Sequence, residues 1–129
     1  MDKIPTSHQD ILEKRSYAHV ATIDADGKPQ VTPVWIDYDG EYLLINSQRG
    51  RKKDRNLRER PQVAISVQDP DNPYRYLGIQ GRVVDITEEG AAEHIHKLSR
   101  KYGGRDYPLK PGDVRVIYKI QPINVWTMG

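Results

Sequence analysis

Turn signals recur through this chain at intervals that leave room for little besides short strands. Asp24-Ala25-Asp26-Gly27, Asp39-Gly40 and Asp69-Pro70-Asp71-Asn72-Pro73 each separate segments rich in Val, Ile, Thr and Tyr. Such residues suit a pleated, half-buried surface, and Asp-Gly pairs suit hairpin turns. Strands are predicted over residues 17–23, 30–38, 41–46, 62–68 and 74–86. A last strand, or strand pair, runs over 114–120 and 123–128, interrupted by Pro122. Pro33 inside the second segment implies an edge, a bulge or a site where the missing N–H matters. Gly78 and Gly81 inside the fifth imply a bend or a close approach to the backbone. Helices are predicted over 6–15, over the basic run 50–60 that stops at Pro61, and from Thr87 to near Gly103-Gly104. The last has Ala91, Ala92, Ile95 and Leu98 at helical spacing. A small sheet built from about six consecutive hairpin strands curls and closes, which limits its edges. The expected fold is therefore mainly β (α+β): a six-stranded antiparallel barrel with short peripheral helices, in one domain spanning 1–129.

Composition narrows the function. With 36% hydrophobic residues in 129, the core is modest, a balance that goes with a dimer. There is no Cys, which excludes disulfides, thiolate metal sites and Cys nucleophiles. No apolar stretch approaches the roughly 20 residues a spanning helix needs. Met1-Asp2-Lys3-Ile4-Pro5 lacks the apolar core of a signal peptide, so a soluble cytoplasmic protein without a membrane partner is expected. The formal charge is only +2, with mixed signs, and demands no nucleic-acid surface. His94 and His96 lie two apart on a helix and face different ways, which argues against a metal site.

Against that balance one stretch stands out. Arg49-Gly50-Arg51-Lys52-Lys53-Asp54-Arg55-Asn56-Leu57-Arg58-Glu59-Arg60 carries seven cations and two acids directly after the apolar strand Tyr42-Leu43-Leu44-Ile45-Asn46-Ser47. Arg supplies bidentate hydrogen bonds and Lys a point charge, which together suit a phosphate. The plainer alternative is a solvated helix face with i,i+4 pairs such as Arg55–Glu59.

The segment Ala21-Thr22-Ile23-Asp24-Ala25-Asp26-Gly27-Lys28-Pro29-Gln30-Val31-Thr32-Pro33-Val34 resembles the opening hairpin of the split β-barrel flavin and deazaflavin oxidoreductases, relatives of pyridoxamine 5′-phosphate oxidase. Arg51 to Val63 resembles that superfamily's cofactor-phosphate segment, and Tyr74 to Val83 its following strand. The similarity runs through the chain and is greatest to the short F420-dependent members. The resemblance implies a split barrel, a homodimer with cofactor sites at its interface, and hydride transfer between the deazaflavin F420 and a small-molecule electron acceptor.

The resemblance also implies a set of cofactor-binding residues. Lys53, Arg55 and Asn56 match the phosphate positions, with Arg51 and Lys52 nearby. Thr32, Pro33 and Val34 would lie along the ring, with Trp35 beside them, although a single strand Trp is first a packing residue. Asn46 and Ser47 would meet the pyrimidine edge or ribityl chain. Tyr74, Arg75, Tyr76 and Gln80 would reach across the dimer, and Trp126 shares that position. No residue stands out as an acid or base. Seven clustered cations favour F420, whose oligoglutamate tail adds carboxylates, over FMN. An FMN oxidoreductase, a non-catalytic F420-binding protein and a nucleic-acid-binding barrel are the competing classes.

Overall fold

The first hairpin shows how local chemistry sets this fold. In the computed structural model, which describes residues 2–129, strand β1 (Ala18–Ile23) turns into β2 (Pro29–Val34) through Asp24. One Asp24 carboxylate oxygen accepts the backbone N–H groups of Asp26 and Lys28, both at 2.9 Å, and Gly27 takes φ +80°. This is the local side-chain bonding that Asp brings to turns.

The remaining strands are β3 (Asp37–Tyr38), β4 (Leu43–Gln48), β5 (Gln62–Asp69), β6 (Asn72–Thr87) and β7 (Arg115–Met128). A single-turn 3₁₀ segment, Thr6–His8, leads into helix α1 (Gln9–Glu13); α2 (Lys52–Glu59) and α3 (Ala91–Gly103) complete the fold. All neighbours in the sheet are antiparallel, in the order β2-β1-β5-β6-β7-β4-β3. Among the described residues no helix is long and apolar enough to cross a membrane.

Among the described residues the strand count is seven, where the sequence pattern implies about six. The difference lies in residues 30–38, which read as one strand and form two. Pro33 has no N–H for a ladder, and Ile36 turns fully inward, its N–H donating to the Tyr102 hydroxyl at 3.1 Å. β2 therefore pairs with β1 at one edge, while β3 pairs with β4 at the other. Val34 and Asp37 are three residues apart, so the chain between them spans at most about 11 Å. Two edges of a seven-stranded sheet meet across that distance only if the sheet curls into a half-barrel.

Other boundaries differ too: Thr87, expected to open the third helix, ends β6, and that helix begins at Ala91. The polar segment predicted as a loop over 69–73 shrinks to the tight turn Pro70-Asp71 between β5 and β6. The final segment is one strand, running straight through Pro122. The register shifts there: Gln80 faces Asn124 and Gly81 faces Pro122, leaving Ile123 bulged. Gly81 permits this, because a Cβ on it would come within 2.8 Å of Ile120 Cγ2. Gly78 likewise carries the Trp126 indole directly on its Cα, where a Cβ would fall 2.1 Å from the ring. Both interior glycines thus mark close approaches.

The core fills the curl with fully buried Ile11, Ile36, Leu43, Ile45, Val67, Leu77, Ile79, Val116 and Ile120. A second cluster, Ile95, Leu98 and Tyr102, packs α3 against Trp35, Tyr107 and Leu109. That smaller cluster forms one side of the cavity described next.

Candidate functional site

β2, β4, α2, α3 and β7 converge on a cavity of about 530 Å³. Its floor begins with local structure at the end of β4. Gly50 takes φ +88°, a conformation that glycine adopts without strain. Its N–H donates to the Asp54 carboxylate at 2.9 Å, and its carbonyl accepts from Arg55 at 3.0 Å. Asp54 is 2% exposed and also accepts from Arg58 and the Tyr118 hydroxyl. Burial works against its charge, but these donors outweigh it and lower its pKa. Asp54 therefore fixes the first turn of α2, and with it the placement of Arg51, Lys52 and Lys53, all of which line the cavity.

Thr32, Pro33, Val34 and Trp35 form a wall from β2, with Tyr17 and Gln30 beside them. Trp35 stacks on Tyr102 (centroids 5.4 Å apart, planes at 16°) and meets Tyr107 edge-on at 6.2 Å. It is a packing residue and a lining residue at once. Asn46 and Ser47 from β4, Ile95 and Leu98 from α3, Tyr107 and Arg115 close the cavity.

Asn46 is held from three directions. Its amide N–H groups donate to Ala91 O (2.9 Å) and to His94 Nδ1 (3.1 Å), and its oxygen accepts from Arg115 Nε at 2.9 Å. With His94 Nδ1 accepting, Nε2–H donates to Asp37 at 3.1 Å, an assignment of tautomer made from the hydrogen bonds. Asp37 also meets Lys97 at 3.1 Å. Burial raises the Asp37 pKa, yet the His94 and Lys97 hydrogen bonds win and hold it at about 2. His96 serves separately, accepting the Tyr107 N–H at 3.1 Å.

The electrostatics are unbalanced. Lys52 reaches Asp24 at 3.4 Å, but Arg51, Lys53 and Arg115 have no carboxylate at ion-pair distance among the described residues. Burial, then the charges of Arg51 and Arg115, push the Lys53 ammonium down to about 8. Burial also lowers Arg115 from its ordinary value. Two buried side-chain atoms among the described residues lack any hydrogen-bond partner: Thr32 Oγ1 and Arg115 Nη1. Both belong to residues lining this cavity. Leaving each unpaired costs about 1–3 kcal/mol. The unpaired cations lining the cavity call for a ligand that carries an anion, and the residues present in that respect fit a phosphorylated flavin or deazaflavin.

Of the residues singled out by sequence, Thr32, Pro33, Val34, Trp35, Asn46, Ser47, Arg51, Lys52 and Lys53 are brought together here. The other six lie elsewhere in the chain. Arg55 borders a separate cleft beside the Asp24–Asp26 turn, which Lys52 shares with the main cavity. Asn56 is buried, donating to Thr22 Oγ1 at 3.0 Å. Arg75 is committed to Asp10 (2.6 and 2.9 Å), Asp69 (2.9 Å) and the Ser7 carbonyl (2.6 Å), tying the N-terminal turn to the β5–β6 hairpin. Tyr74 is 80% exposed, Tyr76 is half-buried, and Gln80 accepts from Asn124 at 3.0 Å on the outer sheet face.

Sequence reasoning missed Tyr17, Gln30, Ile95, Leu98 and Arg115, and reached Tyr107 only as part of the loop 103–112 expected to border the pocket. Gln30 and Tyr17 were within reach, since alternation puts Gln30 on the same strand face as Thr32. Arg115, at the head of an apolar strand after a Pro/Gly loop, carried no signal that separates it from a surface charge.

Comparison with known proteins gives this architecture its relatives. A solved structure described as an F420 reductase is 38% identical, covering 95% of this chain and 98% of its own, with a TM-score of 0.86. A Listeria innocua protein named for pyridoxamine 5′-phosphate oxidase is 24% identical, with 94% of each chain covered and a TM-score of 0.71. A conserved hypothetical protein from Mycobacterium tuberculosis is 22% identical over 98% of this chain and 86% of its own, with a TM-score of 0.74. The last two speak to the fold alone. The pyridoxamine 5′-phosphate oxidase family is matched over residues 4–129. With that match running to the final residue, and the fold shared along its whole length, the chain belongs to the pyridoxamine 5′-phosphate oxidase family.

Proposed function

We propose that this chain is an oxidoreductase that uses the deazaflavin F420 to reduce an electron-poor organic acceptor. The observation that carries the reading is the unmatched polarity of one cavity. Among the described residues Arg51, Lys53 and Arg115 have no carboxylate at ion-pair distance, and all three line the same cavity as the Pro33–Val34–Trp35 wall. The 38% identity to an F420 reductase supports the deazaflavin. Charge supports it too: Arg51, Lys53 and Arg115 exceed what one phosphate needs, and an oligoglutamate tail brings more carboxylates.

When bound, the coenzyme supplies hydride from its reduced ring; binding, orientation and electrostatics are the protein's share. In this reading Arg51, Lys52 and Lys53 hold the anionic end. Ser47 offers a hydrogen bond, while Pro33, Val34 and Trp35 offer an apolar surface that excludes water. Asn46 has its amide already engaged and acts by aligning Arg115. Arg55 and Asn56 support the segment from behind, through the Gly50 carbonyl and Thr22.

The proposal includes a homodimer. Apolar side chains stand exposed on the outer face, Tyr74 at 80%, Val31 at 63%, Met128 at 52% and Trp126 at 47%. Tyr74, Tyr76 and Gln80 would then approach the second subunit's site, with Arg75 stiffening their hairpin. The family match by itself also suits FMN, the alternative coenzyme. Mixing the protein with reduced F420 and a panel of quinone and enone acceptors, and following return of the oxidised F420 absorbance, tests the reading. Acceptor-dependent oxidation is expected. A preparation that is yellow with bound FMN and inert toward reduced F420 would transfer the assignment to FMN.

A further inference from the structure

Arg115 lies outside the basic run that marks the site in sequence, yet it is the most constrained cation in the cavity. It is 7% exposed, its Nε is committed to Asn46 Oδ1 at 2.9 Å, and the Tyr107 ring lies 5.0 Å from its guanidinium carbon. Asn46 is fixed in turn by Ala91 O and by the His94–Asp37 pair, so the guanidinium plane has little freedom. Nη1 has no partner among the described residues and is itself closed to solvent, so the small part of Arg115 left accessible in the cavity lining is what a ligand would meet. A buried guanidinium cannot relieve this by losing its proton, as a lysine can, because it stays charged in proteins. A structural Arg would be expected to meet a carboxylate. Here the group bonded to Nε is a neutral amide; Tyr107 and the Asp113 carboxylate also favour the charge, but Asp113 is not at ion-pair distance.

We propose that Arg115 binds an oxyanion, a carboxylate or phosphoryl oxygen, of a molecule that fills this cavity. The inference rests on the cavity being a ligand site, as proposed above, and not on which coenzyme occupies it. Two sources share this chemistry: the anionic part of the coenzyme, and a carboxylate on the electron acceptor seated beside it. The planar fork matches either, and Asn46, His94 and Asp37 act as positioning residues that hold it edge-on to the ligand.

The test compares the native chain with Arg115→Lys, which keeps the charge and loses the fork, and Arg115→Met, which loses both. Near-ultraviolet circular dichroism checks the fold of each. Affinities for F420 and FMN are measured by fluorescence, and those for inorganic phosphate and benzoate by calorimetry, on the free and the F420-loaded protein. If the coenzyme is the source, Arg115→Met weakens F420 or FMN about 10- to 100-fold, and Arg115→Lys recovers part of the loss. If the acceptor is the source, coenzyme affinity is unchanged, and benzoate binds the loaded native protein but not the loaded variants. Should Arg115→Met fail to fold, Arg115→Lys together with the shift of the Arg115 Nε–H resonance on adding phosphate or benzoate decides. Equal affinities for all four probes in native and Arg115→Lys chains, with no resonance shift, overturn the inference. Loss of F420 affinity in Lys53→Ala under that same outcome would leave the coenzyme assignment standing. A native chain that binds phosphate through Arg115 but neither coenzyme would do the reverse.

Discussion

Lys53 has its pKa held at about 8 by burial and by the neighbouring charges of Arg51 and Arg115. An anion seated beside it favours the protonated form, so its pKa rises on binding and binding takes up a proton. The sign follows directly: affinity for an anionic coenzyme is greatest below pH 8 and falls as pH rises above it, by up to about tenfold per pH unit until the bound-state pKa is reached. Affinities measured across that range check this, and Lys53→Met should flatten the profile. Asn46 gives a second test at this scale. Asn46→Leu strands the Arg115 Nε–H, the Ala91 carbonyl and His94, and should destabilise the fold by about 2–3 kcal/mol in urea titrations.

At the level of elements, the strands were legible because β-forming residues alternate between turn signals. The break at Trp35-Ile36 was not, because residues 30–38 carry an unbroken β-forming composition and only the distant β4 edge and Tyr102 decide where the chain leaves the ladder. Pro122 looked like a strand end for a similar reason; a bulge opposite Gly81, invisible locally, lets the strand continue. The site divides in the same way. Lys53 lies in a basic run that the local pattern announces, while Thr32 and Asn46 are reached through the resemblance of their segments to a known family. Arg115 is joined to Asn46 across 69 residues, so no local window shows it.

Three predictions belong to this scale. Gly78→Ala drives a methyl into the Trp126 indole, where the added Cβ would sit 2.1 Å from the ring. The β6–β7 pairing should lose about 1–3 kcal/mol, read from urea midpoints at unchanged m-value. Arg75→Met should free the N-terminal turn, seen as faster amide exchange in residues 6–13 with the core strands protected as before. Asp10 and Asp69 act through the same contact. The hydrogen bond from Arg75 lowers Asp10, and the Asp71 N–H, then Lys14 and Arg75, lower Asp69. Their contribution is present above the ordinary carboxylate range and is lost as pH falls through their depressed values, so acid should loosen this turn in the native chain.

For the molecule as a whole, the half-barrel brings β2, one edge of the sheet, and β4, the strand next to the other edge, to one cavity, and α2 and β7 deliver cations to it. The outer face keeps Tyr74, Trp126 and Met128 exposed. Sedimentation should show a dimer at micromolar concentration, and Trp126→Glu should shift it toward monomer. The central claim is that the cations of this cavity hold the anionic end of a redox coenzyme. Fluorescence titration of the native chain, Lys53→Ala and Arg55→Ala with F420 and with FMN tests it most directly. Native protein should bind F420 more tightly than FMN. Lys53→Ala should weaken F420 about 10- to 100-fold, and Arg55→Ala, which touches the Gly50 carbonyl from outside the cavity, by much less. Equal F420 affinity in native and Lys53→Ala chains, or no binding of either coenzyme, would contradict it.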